Sequence, residues 1–500
     1  MIPVTTFAGR TVAVFGMARS GLAAARALIA GGATVACWDD GERGRASASV
    51  ARLPLVDLRE ADWSRFAALV LAPGVPLTHP EPHWAVKRAR AAGVEVIGDT
   101  ELFFRELALL PEASRPKTIA ITGTNGKSTT TALAAHLLSS ASTQVEMGGN
   151  IGEAVLGLHG LNEVDVYVLE LSSYQIDLTP TLAPDVGILL NLSPDHLDRH
   201  GTMEHYSEVK ERLIVGSKTA IVGLDDHWCR EIALRRLANK RETLGIHIIE
   251  DATRPADAVS DAELTVFKKA GGQVILANAN DEIWLDGGEE LAELRGIPTL
   301  KGAHNAQNAA AAICAARQLG LTSNRIDFRL TSFASDYYPQ ALRRLRSYPG
   351  LHHRMELLGS VGDVAFVNDS KATNADSTAK ALNSFGAGLH WILGGKAKDG
   401  GIESLTGFFG GVAHAYLIGE ASDTFAKTLA AHGVLFTRCG TLARAVDEAN
   451  QNAAPGPATV LLSPACASFD QFKDFEDRGD QFRKFVQALP GFVPYGAKAQ

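Results

Sequence analysis

The chain has 500 residues, 46% of them apolar, and a formal charge of −8. A length of this order exceeds what one hydrophobic core organises and points to about three domains. The acidic balance, without any basic stripe, argues against a nucleic-acid partner, and no run of about eighteen apolar residues or signal-like N-terminus argues for a membrane or for export. Five scattered cysteines without metal-ligand spacing read as reduced thiols in a cytoplasmic protein.

In chain order, an apolar run through Phe15 leads into the turn Gly16, Met17, Ala18, Arg19, Ser20, then an alanine-rich helix over 22–30. A second strand over 34–38 ends at Asp39. A turn at a helix N-terminus suits a diphosphate, and an acid about twenty residues on suits a ribose hydroxyl. Ala18 stands at the middle glycine of G-x-G-x-x-G, so by itself the fingerprint leaves a nicotinamide cofactor open. A strand over 68–71 ends in the rigid turn Ala72, Pro73, Gly74, and a helix over 84–92 and a strand over 94–97 complete a doubly wound unit. Pro111 to Pro116 reads as a linker.

The stretch from Thr118 to Thr129 is an apolar strand, a glycine-rich turn and a helix that starts at Ser128. Gly123 and Gly126 let the backbone approach an anion, with Thr124 and Asn125 between them. Lys127 adds a point charge, and Ser128 or Thr129 a hydroxyl for Mg²⁺. A lysine at a helix N-terminus opposes the macrodipole unless an anion sits there. The spacing is a shortened form of the phosphate-loop pattern, and it predicts a nucleoside triphosphate site. A strand over 164–169 then carries Glu170, the expected Mg²⁺ partner. A strand over 186–190 opens a polar run containing His196, which composition alone leaves as either a ligand or a structural residue. Residues 206–212 read as helix. Residues 225–296 predict further β structure, with strand-like 264–268, 273–276 and 282–285 and hairpins about Gly271-Gly272 and Gly287-Gly288. Lys301 to Asn308 then packs polar side chains onto the start of an alanine-rich helix over 309–319, as nucleotide contacts or as caps.

The last third alternates strands with polar loops. Strands over 365–368, 391–393, 416–418 and 459–462 form a third doubly wound domain. It presents Lys371, Lys398 and Ser468 along one carboxyl edge, suited to an anionic small molecule. The fold class is α/β: a Rossmann-like domain over 1–115, a P-loop ATPase-type domain with a parallel sheet over 116–347 (225–296 a possible insertion), and a Rossmann-like domain over 348–500.

These motifs together resemble the Mur ligase family, ATP-dependent amino-acid ligases of cell-wall precursor synthesis. The resemblance rests on 122–129, 149–152, 170–175, 195–200, 304–308, 353–354 and 368–374. The runs after Asn368 and Leu462 resemble the glutamate-adding branch. It implies ligation of D-glutamate to UDP-N-acetylmuramoyl-L-alanine through an acyl phosphate, with the third domain closing over ATP. By the same resemblance Lys127 meets the β- and γ-phosphates, Ser128 and Glu170 hold one Mg²⁺, and His196 with a carbamylated Lys210 a second. Asn305 and Asn308 would contact adenine, Arg354 and Asp369 the nucleotide. The residues Gly16 to Ser20, Asp39 and Ala72 to Gly74 would bind the uridine diphosphate, and Asn150, Ser172 and Gln175 the muramoyl-alanine end. Lys371, Thr373, Lys398, Ser468, Phe469 and Phe475 would hold glutamate. Ala72 and Phe469 depart from the serine and leucine usual there. A monomer with small-molecule substrates alone is expected; the alternatives are a Mur-type ligase for L-glutamate or another amino acid, and a non-catalytic nucleotide-dependent sensor of precursors.

Overall fold

The structure is a computed structural model describing residues 1–140, 143–249, 262–278, 282–285, 289–300, 302–319, 343–397, 400–453 and 456–495. The chain forms two compact units, Met1–Arg295 with Ala303–Arg344, and Gly296–Gly302 with Leu345–Gln500.

In unit 1, β1 (Thr11–Phe15), β2 (Thr34–Trp38), β3 (Ala68–Leu71) and β4 (Glu95–Ile97) form a parallel four-stranded sheet in the order β2-β1-β3-β4. Gly21 lies inside the first helix, Arg19–Ala30, three residues earlier than the apolar pattern starts. The next segments are β5 (Lys117–Thr122), β6 (Val145–Gly149), β7 (Val166–Glu170), β8 (Val186–Leu189), β9 (Thr219–Gly223), β10 (Thr243–Ile249), β11 (Gln273–Asn278), β12 (Glu282–Leu285) and β13 (Glu289–Glu293). They build a nine-stranded sheet ordered β13-β12-β11-β10-β9-β8-β5-β7-β6, in which β12 pairs antiparallel with both β11 and β13 and every other pair is parallel. The buried runs of β5, β7 and β8 are nearly all apolar because helices cover both faces of a parallel sheet. From β5 the chain goes to one side for β6 and β7 and to the other for β8, so the loop after β5 sits at a topological switch point.

The two sheets of unit 1 share one apolar core, in which Phe103 of the helix Asp99–Leu109 meets Tyr167 of β7 at 5.2 Å between ring centroids. Polar ties join them as well: Ile2 N donates to Leu156 O at 2.9 Å, and Glu101 accepts from Thr181 N and Oγ1, both at 2.9 Å.

One expectation is overturned. Residues 264–268 are not a strand but part of the helix Ala262–Lys269. Leu264 and Phe267 are buried three residues apart while Val266 between them is 53% exposed, which is helical and not alternating spacing. Thr265 and Val266 favour strand locally, and packing overrides them. Gly271-Gly272 therefore ends a helix and feeds β11 parallel to β10, with no hairpin there. Gly287-Gly288 lies outside the described residues, between the antiparallel pair β12 and β13.

In unit 2, β14 (Glu356–Val361), β15 (Val364–Asn368), β16 (Leu389–Gly394), β17 (Val412–Ile418), β18 (Phe436–Gly440), β19 (Ala458–Leu462) and β20 (Phe492–Pro494) form a seven-stranded sheet ordered β18-β17-β16-β19-β15-β14-β20. The first five in that order are parallel, and β14 and β20 add antiparallel at one edge. All five cysteines are buried, and none forms a disulfide. Among the described residues no helix is long and apolar enough to cross a membrane.

Candidate functional site

The loop after β5 turns into the helix Lys127–Leu138 through Gly126, whose φ of 86° lies in the left-handed region. A Cβ there would meet Asn308 Oδ1 at 2.3 Å, so only glycine lets the helix Ala303–Gln318 come this close. Asn308 is buried, accepts from Thr130 Oγ1 at 3.2 Å and donates to Asn305 Oδ1 at 3.2 Å. Both expected adenine contacts thus flank the start of the phosphate loop's helix. The loop is also held from the β8 side, where Asn125 N donates to Asn191 Oδ1 at 2.8 Å and Thr124 N to Asn191 O at 2.9 Å. Lys127 Nζ donates to the carbonyls of Gly123 and Thr124, each at 2.9 Å, which folds it over its own loop where a phosphate would lie.

Glu170 ends β7 opposite Ile121 of β5 and is 2% exposed. Its Oε1 accepts from Asn150 Nδ2 at 2.8 Å, while Oε2 is buried with no partner. An orphaned carboxylate oxygen beside a phosphate loop, with Ser128 buried in the adjoining helical turn, fits a hard divalent cation.

Lys210 lies on the helix Met203–Gly216, 1% exposed, and donates to Thr122 Oγ1 at 3.0 Å and Gly123 O at 2.8 Å. Burial first and the charge of Lys127 second hold its amine well below the ordinary lysine range, and Asp195 and Glu170, pulling the other way, do not offset them. A neutral buried amine is the form able to take up CO₂. His196 caps the short helix Leu197–His200 with φ at 53°, half-exposed, its Nε2 3.3 Å from Asp195 Oδ2.

In the first sheet the candidate residues collect at the carboxyl ends of β1, β2 and β3. Gly16 N donates to Trp38 O and Ala72 N to Phe15 O, both at 2.9 Å. A Cβ on Gly16 would stand 2.5 Å from that of Ala72, so the two turns touch. Asp39 Oδ2 accepts from Met17 N at 2.6 Å, so the carboxylate already faces the turn's backbone donors. Arg19 bonds the carbonyl of Gly152 and reaches Asn150 O at 3.4 Å, next to the turn that holds Glu170. Ser172 and Gln175 form a capping box at the start of the helix Ser173–Asp177.

In unit 2, Asp369, Lys371 and Thr373 follow β15, and Ser468, Phe469 and Phe475 follow β19. Lys371 Nζ stands 5.7 Å from the Phe475 ring centroid, its backbone N donates to His353 O at 2.9 Å beside Arg354, and Thr373 N donates to Lys371 O at 2.8 Å. Asp369 accepts from Ser463 Oγ at 2.8 Å, and burial lifts its carboxyl to about 7. Ser468 is buried and Phe469 is 70% exposed. Lys398 lies outside the described residues.

The model of the Mur ligase middle domain matches residues 121–316, and that of the Mur ligase glutamate ligase domain matches 353–466. UDP-N-acetylmuramoylalanine--D-glutamate ligase of Nitrobacter winogradskyi is 52% identical, with 99% of this chain and 100% of that one covered. That of Brucella abortus is 51% identical, with 99% of each covered. The chain belongs to the Mur ligase family. Solved structures agree on the fold. A UDP-N-acetylmuramate-alanine ligase from Thermotoga maritima covers 95% of this chain and 99% of its own at TM-score 0.54 and 16% identity. A UDP-N-acetylmuramoyl-L-alanyl-D-glutamate--2,6-diaminopimelate ligase covers 89% and 90% at 0.53 and 19%.

Three residues of this Mur ligase escape sequence reasoning. Arg199 donates to Gly74 O at 2.8 Å and Val75 O at 2.9 Å and covers the Tyr174 ring at 4.6 Å, which ties the loop of His196 to the turn after β3. Arg478, fully buried, donates to Ser370 Oγ and O at 3.0 and 2.8 Å and to Cys466 O at 3.2 Å, joining the loops after β15 and β19. Local spacing does not show what either arginine holds, since the partners of each lie well away in the chain. His200 is the third: it is 2% exposed, with Nε2 2.8 Å from Ser173 Oγ, and burial followed by the neighbouring His205, His196, Lys210 and Arg199 pushes it down to about 4.

Proposed function

We propose that this Mur ligase joins D-glutamate to UDP-N-acetylmuramoyl-L-alanine with cleavage of ATP to ADP and phosphate, a step of peptidoglycan precursor synthesis. The observation that carries the ATP-dependent half is the meeting of Lys127, the partnerless Glu170 oxygen and the buried Lys210 around one phosphate loop. The choice of D-glutamate rests on relatives of that name, about half identical over their whole length.

Residues 1–115 would bind the UDP end through the turns at Gly16 and Ala72, 116–347 ATP, and 348–500 the amino acid, the protein acting as a monomer. In the reaction a substrate carboxylate oxygen attacks the γ-phosphorus and the bond to ADP breaks. The amine of glutamate then attacks the acyl carbon, loses a proton and expels phosphate. Little covalent chemistry falls to the protein, whose task is positioning and charge neutralisation. Lys127 would exchange the Gly123 and Thr124 carbonyls for phosphate oxygens, and the loop's N–H groups would cradle the same anion. Bound Mg²⁺ would neutralise phosphate charge, with Ser128 and Glu170 suited to hold one ion and His196 and carbamylated Lys210 a second. Asn150 would orient Glu170. Asn305, Asn308, Arg354 and Asp369 would meet the nucleotide, Ser172 and Gln175 the muramoyl-alanine end, and Lys371, Thr373, Lys398, Ser468, Phe469 and Phe475 the glutamate.

The test is ADP release with Mg²⁺, ATP and UDP-N-acetylmuramoyl-L-alanine, comparing no amino acid, D-glutamate, L-glutamate and meso-diaminopimelate. Turnover confined to D-glutamate is expected. Turnover with another amino acid would overturn the assigned specificity, and none at all would favour a sensor.

A further inference from the structure

Asp177, His200 and His205 come from three consecutive helices. Asp177 ends Ser173–Asp177, His200 ends Leu197–His200, and His205 lies in the first turn of Met203–Gly216. One ligand-type atom from each lies within 4.8 Å of the other two. None belongs to the residues placed around ATP. The His200 ring is set by its 2.8 Å approach to Ser173 Oγ, yet Nδ1 is buried without a hydrogen-bond partner, so with Nε2 protonated the imidazole keeps an unspent lone pair. Two further polar groups adjoin the cluster: Asp177 Oδ1 accepts from Arg212 Nη1 at 2.9 Å, and His205 Nδ1 lies 3.8 Å from Glu208 Oε2. The His79 ring stands 6.4 Å from that of His205.

We propose that Asp177, His200 and His205 form a second, non-catalytic site for a divalent transition cation of the Zn²⁺ class. Two imidazoles and a carboxylate with an open fourth position are a zinc-type donor set, whereas Mg²⁺ prefers oxygen alone. Ligands around tetrahedral Zn²⁺ stand roughly 3.4 Å apart, so the cluster has only to contract by side-chain adjustment, which the half-buried His205 can supply. Donation from the far nitrogen of the ring, here from Nε2–H to Ser173 Oγ, is how metal-bound imidazoles are commonly oriented. The bound cation ties the helix that begins beside Ser172 to the helix carrying Lys210. The site is thus a clamp on the scaffold of the active centre, and it stands independently of the amino acid used.

The experiment takes the full chain, stripped with chelator and then held in excess Mg²⁺, and titrates it with Zn²⁺ by calorimetry and with Co²⁺ by visible absorption. One tight equivalent is expected, with Co²⁺ bands of an imidazole-bound low-coordinate ion and a raised Tm. His205→Ala and Asp177→Asn should each weaken it at least about tenfold, the lower end of what even an orienting partner of a ligand is worth. His196→Ala should retain it. Absence of a tight equivalent in the wild type overturns the proposal, as does an equivalent lost in His196→Ala but kept in His205→Ala and Asp177→Asn.

Discussion

Replacing Lys210 by methionine separates the two roles a buried lysine can have. In the fold Nζ makes two hydrogen bonds, to Thr122 Oγ1 and Gly123 O. Losing two bonds of about 1 kcal/mol each is partly offset because no ammonium or amine then has to be desolvated, and methionine fills nearly the same volume. The net change in stability is expected within about 2 kcal/mol, leaving the protein folded. Turnover is another matter. If the side chain carries a carbamate, the variant loses a preorganised anionic group at the phosphate site, worth about 10²–10³ in kcat, or roughly 3–4 kcal/mol. Phosphate release measured beside thermal unfolding reads both quantities. Two companions sharpen the result: Lys210→Ala, which opens a cavity, should be partly rescued by acetate or formate, and wild-type activity should fall on CO₂ depletion and return with bicarbonate. Near-wild-type turnover in Lys210→Met would refute the reasoning, and so would lack of both rescue and bicarbonate dependence.

Lys127→Ala should lower turnover at least about a hundredfold in the same assay, and near-wild-type activity there would sink the ATP-site assignment. Gly126→Ala combines left-handed strain of about 1–2 kcal/mol with the overlap on Asn308, so Tm and ATP affinity measured by calorimetry should both fall; an unchanged Tm would contradict the geometry. The His200 imidazole, held at about 4 when folded and near 6.5 when unfolded, binds more protons unfolded between those values. Its contribution is therefore full above about pH 6.5 and is lost as pH falls towards 4, by up to about 3 kcal/mol. In chelator, His200→Asn should flatten this part of the stability profile, and parallel profiles for the two proteins would show the assignment wrong.

Much of the scaffold was legible because parallel strands are continuous apolar runs ended by glycine and polar turns. Ala68–Leu71 and Thr34–Trp38 stand where their patterns put them. The phosphate loop was legible for the same reason, as was Glu170, which the β5–β7 register sets one strand from Ile121. Leu264–Lys268 misled because two β-branched residues sit between buried positions three apart, and only packing decides between the periods. The seat of Asn308 against Gly126 and the reach of Arg199 and Arg478 depend on residues far away in the chain. Sequence spacing carries no trace of them.

The apolar core shared by the first two sheets bears on how this chain comes apart. Pro111 to Pro116 punctuates the sequence, but the Phe103–Tyr167 contact and the Glu101–Thr181 bonds cross it. Cooperativity follows burial and not punctuation, so the stretch that would hold UDP should show no melting transition of its own. A calorimetric trace of the intact protein should resolve along the division between units 1 and 2, and a fragment cut at Pro116 would carry an uncovered apolar face into solution.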